Sequence, residues 1–175
     1  MFFIELAASL WSGSSALAAD AADFLGDSAN YAFSLGAIAL GGAWLSRVAL
    51  VKGAVMALYG VAVLGYAGWR AWLGLPPEPL TMGAVGLLAL GVNVGVATLL
   101  YRFREGDANM RSVWLCTRND VIGNIAVLAA AAGVFGTGTV WPDVAVAAVL
   151  AILGLASGPV VMREALNELN GRRAG

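Results

Sequence analysis

Five apolar runs follow one another between Ala16 and Met162. Each exceeds the roughly 20 residues that a helix needs to cross a hydrocarbon core of about 30 Å. They cover Ala16 to Leu45, Val48 to Leu73, Leu80 to Phe103, Met110 to Phe135 and Val140 to Met162. The runs are long and show no sustained alternation, which favours helices over the strands of a barrel. With 60% hydrophobic and only 12% charged residues, the chain departs far from the roughly 25% charged content of an ordinary soluble domain. Lipid is therefore the expected solvent. The expected fold class is all-α, a polytopic membrane helix bundle of five full transmembrane helices at about 16–45, 48–73, 80–103, 110–135 and 140–165. Residues 166–175 form a short tail, and residues 1–175 are one transmembrane domain.

A sixth, earlier run from Phe2 to Trp11 is too short; at about 1.5 Å per residue it reaches only half-way across the bilayer. Either the chain begins inside its first transmembrane helix, or this is a half-helix resting against the others. The small residues Ala16-Leu17-Ala18-Ala19 resemble a signal-peptide cleavage site. The preceding stretch, however, has no Lys or Arg, carries Glu5, and is interrupted by Ser12, Gly13, Ser14 and Ser15.

Basic residues give the orientation. Arg47 and Lys52, then Arg102, Arg104 and Arg111, then Arg163, Arg172 and Arg173 all fall on one side of the expected bundle. By the positive-inside rule that side is cytoplasmic, the C-terminus with it, in a bacterial inner (plasma) membrane. Trp69, Trp72 and Trp141 fall at the opposite ends, where interfacial aromatics belong. The formal net charge of −1 and the absence of a Lys/Arg run argue against a nucleic-acid partner. The chain has no histidine, and its one cysteine, Cys116, excludes an intrachain disulfide.

Charged groups within a span are costly and are functional candidates by default. The first full span contains Asp20, Asp23 and Asp27; the fourth contains Cys116, Arg118 and Asp120. Asp23 and Asp27 are four residues apart, as are Cys116 and Asp120, so each pair lies on one helix face. Counted from Ser15 at helical rise, Asp23 lies about 12 Å and Asp27 about 18 Å deep. Counted from Asn109 on the other side, Cys116 lies about 10 Å and Asp120 about 16 Å deep. In a core of about 30 Å, Asp27 then falls level with Cys116, and Asp23 with Asp120. The four residues are the expected metal ligands. Carboxylate oxygens with one thiolate suit a divalent cation such as zinc or softer cadmium. An empty cluster of three carboxylates cannot stay fully ionised, so metal entry displaces protons. By residue type alone Cys116 is a small buried hydrophobe; its pairing with Asp120 makes it a ligand. Asp20 reads as a helix cap or a hydrogen bond within the bundle, with Arg118 as a partner.

The segment Ala19-Asp20-Ala21-Ala22-Asp23-Phe24-Leu25-Gly26-Asp27 resembles the second-helix motif of cation diffusion facilitators, in which His or Asp is followed four residues later by Asp. The segment Asn109 to Asp120 is similar to the fifth-helix motif, where Cys116 stands in place of the usual His. Ser12-Gly13-Ser14-Ser15-Ala16-Leu17, Asn93, Trp141-Pro142-Asp143 and Arg163-Glu164-Ala165-Leu166 also fit the pattern. The resemblance implies a six-helix transmembrane domain, usually in a homodimer, exporting zinc, cadmium or cobalt in exchange for protons. It carries the ligand positions to Asp23, Asp27, Cys116 and Asp120, with the metal as substrate, no organic cofactor and no catalysis. Against that pattern the chain is expected to lack the cytoplasmic C-terminal domain, a His-rich loop and part of the first helix. A dimer would rely on membrane contacts such as Gly91 to Gly95 or Gly154 to Gly158, which serve equally for packing within one bundle.

Two other functions remain open at this stage. An intramembrane aspartyl protease also needs facing aspartates, and Leu25-Gly26-Asp27 echoes its motif, but Phe24 replaces the first glycine and no Pro-Ala-Leu segment occurs. A membrane protein that binds metal without transporting it would carry the same ligands.

Overall fold

In a computed structural model the backbone is described for residues 1–40, 42–103 and 108–171; side chains at 29–40, 42–46, 48, 52, 103, 108–113, 115, 116, 157, 160, 161, 164, 168, 169 and 171 lie outside that description. Among the described residues six helices follow in order: α1 (Phe2–Ser12), α2 (Ser15–Leu40), α3 (Gly42–Leu73), α4 (Pro79–Leu100), α5 (Ala108–Thr137) and α6 (Trp141–Gly171). A 3-10 turn, Tyr101–Phe103, extends α4. The all-α membrane bundle expected from the apolar runs is what forms. Ala49–Leu73, Pro79–Leu100 and Thr117–Thr137 are each long and apolar enough to cross a membrane, and Trp141–Ala156 is a shorter apolar stretch. Large apolar side chains such as Leu58, Leu99, Phe135, Ile152 and Leu153 face outward, which suits a lipid solvent.

Two boundaries differ from the sequence reading. The break expected at Ser46-Arg47 falls inside α3, which is helical from Gly42 onward. At the other end α6 continues to Gly171 instead of stopping at 165; the following Leu166-Asn167-Glu168-Leu169 contains no breaker.

The connections at one end of the bundle are tied together. Gly13 ends α1 in the left-handed region (φ 75°), and its N–H donates to Ser9 O at 2.8 Å. A side chain there would be strained by that φ and would run into the Arg70 guanidinium. The buried Asp143, in the first turn of α6, reaches across to the start of α2. Its Oδ1 accepts from Ser14 Oγ (2.6 Å) and Ala16 N (3.0 Å), and its Oδ2 from Ser15 N (2.7 Å). Ordinarily the first amides of a helix are capped from the preceding residue; here Ser14 does this for Leu17 N at 3.1 Å, and α6 supplies the rest. Glu78 N donates to Ser12 O at 2.9 Å, joining the α3–α4 loop to the same corner.

Glu78 also caps α4, accepting from Leu80 N (2.9 Å) and Thr81 N (2.6 Å) ahead of Pro79 at the first helical position. Hydrogen bonds from Thr81, and then from Leu80, hold its carboxyl below the usual carboxylate range. The stability this adds is present above the unfolded pKa and is lost as pH falls through the lower folded value.

The most extensive helix contact is between α3 and α6. It closes backbone to backbone: a Cβ on Gly53 would lie 2.9 Å from Gly158 O, and one on Gly158 would lie 3.0 Å from Gly53 O. Gly158 is thus used within the bundle, one of the two roles open to it in the sequence, while Gly91 and Gly95 have no atom within 4 Å of such a Cβ. Gly53→Val should force the two backbones apart at an overpacking cost of about 1–3 kcal/mol or more. At roughly 2–4 °C per kcal/mol for a chain of this size, the thermal midpoint in detergent should fall by several degrees. An unchanged midpoint would show that the crossing has slack.

Candidate metal site

α2 crosses the bundle in contact with α1, α3, α5 and α6, and its polar face carries Asp20, Asp23 and Asp27 at helical spacing. α5 runs alongside and turns Asp120 toward that face. The Asp27 and Asp120 carboxyls come within hydrogen-bonding reach of each other. Asp23 is the next charge, interacting with Asp20, Asp27 and Asp120. Two carboxyls can share a hydrogen bond only if one of them carries a proton. Among the described residues Asp120 Oδ2 is buried and has no hydrogen-bond partner, leaving an acceptor oxygen in a place where such oxygens are normally satisfied.

Of the four expected ligands, then, Asp27 and Asp120 meet and Asp23 stands beside them. Cys116 lies on α5 one turn before Asp120, and its side chain is outside the described residues. Among the described residues no three Cys, Asp or Glu side chains form a ready-made metal cluster.

A cleft of about 760 Å³, open to the outside, borders this site. Asp23, Asp120, Asn119, Met56, Gly123 and Gly154 line it together with the outward-facing Ile122, Val149 and Leu153. Met56, on α3, approaches α2 at Gly26, where a Cβ would stand 3.2 Å from its Cε and 3.6 Å from its Sδ. A soft thioether therefore sits beside the carboxylates, a neighbour that sequence reasoning did not select because one methionine in an apolar run carries no signal.

Asp20 does make a hydrogen bond within the bundle, but not with Arg118. Asn124 Nδ2 donates to Asp20 Oδ1 and Oδ2, both at 2.8 Å, and Asn124 Oδ1 accepts from Asn93 Nδ2 at 3.0 Å. Arg118 is exposed, lies 5.7 Å from the centre of the Trp114 ring and donates to Asn119 Oδ1 at 3.4 Å. The cation stays at the rim because a long side chain can reach a polar environment there, and an amide serves the buried carboxylate instead. The signal for Asn124 was its spacing, four residues after Asp120 and so on the same face.

Residues 1–169 match the cation efflux transmembrane domain. The chain belongs to the cation efflux family. Among curated proteins, this cation efflux chain is 27% identical over 179 residues to the metal cation efflux system protein CzcD of Cupriavidus metallidurans, an alignment covering 94% of the chain and 56% of that relative. It is equally similar, over the same shares, to the cation efflux system protein CzcD of an Alcaligenes species. It is 30% identical over 98 residues to the cadmium, cobalt and zinc/H(+)-K(+) antiporter of Bacillus velezensis, covering 54% of the chain and 31% of that protein. The chain thus spans about half the length of the first two relatives it matches. Membership of the cation efflux family also tells against the protease reading.

Proposed function

We propose that this protein moves divalent metal cations across the membrane in exchange for protons, through a site formed by Asp23, Asp27, Cys116 and Asp120. The observation that carries the reading is the Asp27–Asp120 carboxyl pair, joined across two helices and bordering a cleft beside Asp23. A proton held between two carboxyls and an unpartnered acceptor oxygen form the empty state of a cation site: the arriving cation takes over the oxygens and the proton leaves. The family membership and the names of the relatives point to the same substrate class. Zinc is the first candidate, with cadmium and cobalt next. We orient the bundle with its C-terminus in the cytoplasm, from the basic residues at that end.

A proteoliposome assay over zinc, cadmium, cobalt, nickel, iron and manganese, with a pH dye on the opposite side, tests the proposal. Metal flux accompanied by counter-flowing protons supports exchange. Stoichiometric binding without flux would instead favour a non-transporting metal-binding protein.

Cys116 decides the metal in this reading, since thiolate prefers softer ions than imidazole does. Cys116→His should keep transport and shift the preference from cadmium toward zinc, measured as the ratio of initial uptake rates. Unchanged selectivity would remove the cysteine from the proposed shell.

A further inference from the structure

We propose that Glu5 and Asp20 form a second ion site whose ligand is a single proton, carried on Glu5, and that a cation binding at the neighbouring carboxylates expels it. The first half stands on the bundle alone; the second rests on the transport reading given above.

Glu5 projects from α1 into the interior. Its relative exposure is 0%, and among the described residues neither carboxyl oxygen meets an N–H or O–H donor. What it faces is the Asp20 carboxyl, at hydrogen-bonding reach and itself only 1% exposed. A buried carboxylate with no donor and a second carboxylate against it has nothing to offset its lost hydration. One proton between the two resolves this, since a protonated carboxyl becomes a donor.

The amide chain says which residue holds the proton. Asn93, 6% exposed, donates to Asn124, which is fully buried and donates from one nitrogen to both Asp20 oxygens at 2.8 Å. An amide placed to donate to both oxygens suits the ionised carboxylate. Asp20 is therefore the anion, and Glu5, which has no donor of its own, is the acid.

The titratable groups around Glu5 are few. Asp20 and, farther off, Asp23 face it from α2, Tyr59 from α3, and the Met1 amino group from its own helix. α4, also packed on α1, has no titratable residue in its sequence. Asp20 and Asp23 are three residues apart on α2, so the acid pair stands one helical turn from the proposed metal ligands. A divalent cation there replaces a negative surrounding with a positive one and favours ionised Glu5. The O–H bond of Glu5 then breaks, its electron pair stays on the carboxylate, and the proton leaves by way of the cleft that Asp23 lines.

The test is infrared difference spectroscopy of the full chain in detergent, with and without zinc chloride. Wild type should show carbonyl stretches of protonated carboxylic acids at neutral pH, one from Glu5 and one from the Asp27–Asp120 pair. The wild-type minus Glu5→Gln spectrum should isolate the Glu5 band, and Glu5→Asp, which restores an acid, should bring it back. Zinc should bleach that isolated component in wild type. Calorimetry in buffers of different ionisation enthalpy should then count about one proton fewer released per zinc in Glu5→Gln than in wild type. A wild-type minus Glu5→Gln spectrum without a carboxylic-acid band overturns the assignment of the proton. A Glu5 band unmoved by bound zinc, with equal proton counts in the two proteins, overturns its release. If calorimetry finds no zinc binding to wild type, the transport reading and the release step both fall, while the infrared band still decides the proton on Glu5.

Discussion

Asp120→Ala should reduce zinc-driven flux in proteoliposomes to the level of empty vesicles. Asp120 is the one described carboxylate that α5 supplies to the site, it stands against Asp27, and its Oδ2 has no hydrogen bond to lose. Changes in residues that merely orient metal ligands cost about 10–100-fold, so removal of a ligand should cost at least roughly 100-fold in initial rate. Folding should survive, because among the described residues the one bond lost is the carboxyl–carboxyl contact with Asp27. Asp120→Asn separates charge from shape: it keeps the volume and still should not transport. Retained flux with an unaltered proton count in either variant would place the transport path elsewhere.

The second large effect is on stability. Asp143→Ala should leave Ser14 Oγ, Ser15 N and Ala16 N, all buried, without their acceptor. Each unsatisfied buried donor costs about 1–3 kcal/mol, so three cost on the order of 3–9 kcal/mol. At roughly 2–4 °C per kcal/mol for a chain of this size, the thermal midpoint in detergent should drop by about 6 °C or more. Asp143→Asn keeps one accepting oxygen and should fall in between. A midpoint within a degree of wild type would show that water replaces the carboxylate at this corner.

The helices were legible in the sequence because each buries its backbone polar groups by itself, and apolar length alone announces that. The meeting of α2 and α5 was legible too, through Asp23, Asp27 and Asp120. The register was less so. Counting residues along straight helices put Asp120 level with Asp23, whereas its hydrogen-bonding contact is Asp27, about one turn away. Tilt, which no residue count contains, is enough to shift the level by that much. Glu5 served in the sequence only as an argument against a signal peptide, although a carboxylate in an apolar run is the same signal that selected Asp120. Asp20 was read correctly as a group bonded within the bundle and incorrectly as a partner for Arg118. Choosing between a guanidinium and an amide requires knowing which helix lies opposite, and that is a tertiary fact.

α3 is packed most extensively on α6, and α4 on α5, whereas α2 touches α5 only sparsely. Asp27 and Asp120 lie on the two sides of that thin boundary. Among the described residues the hydrogen bonds from Asn124 to Asp20 also cross that boundary, about two helical turns from Asp27. A cation gripping both carboxylates would act as a fastener across the seam, and its charge and radius would fix how tightly the two halves are drawn together.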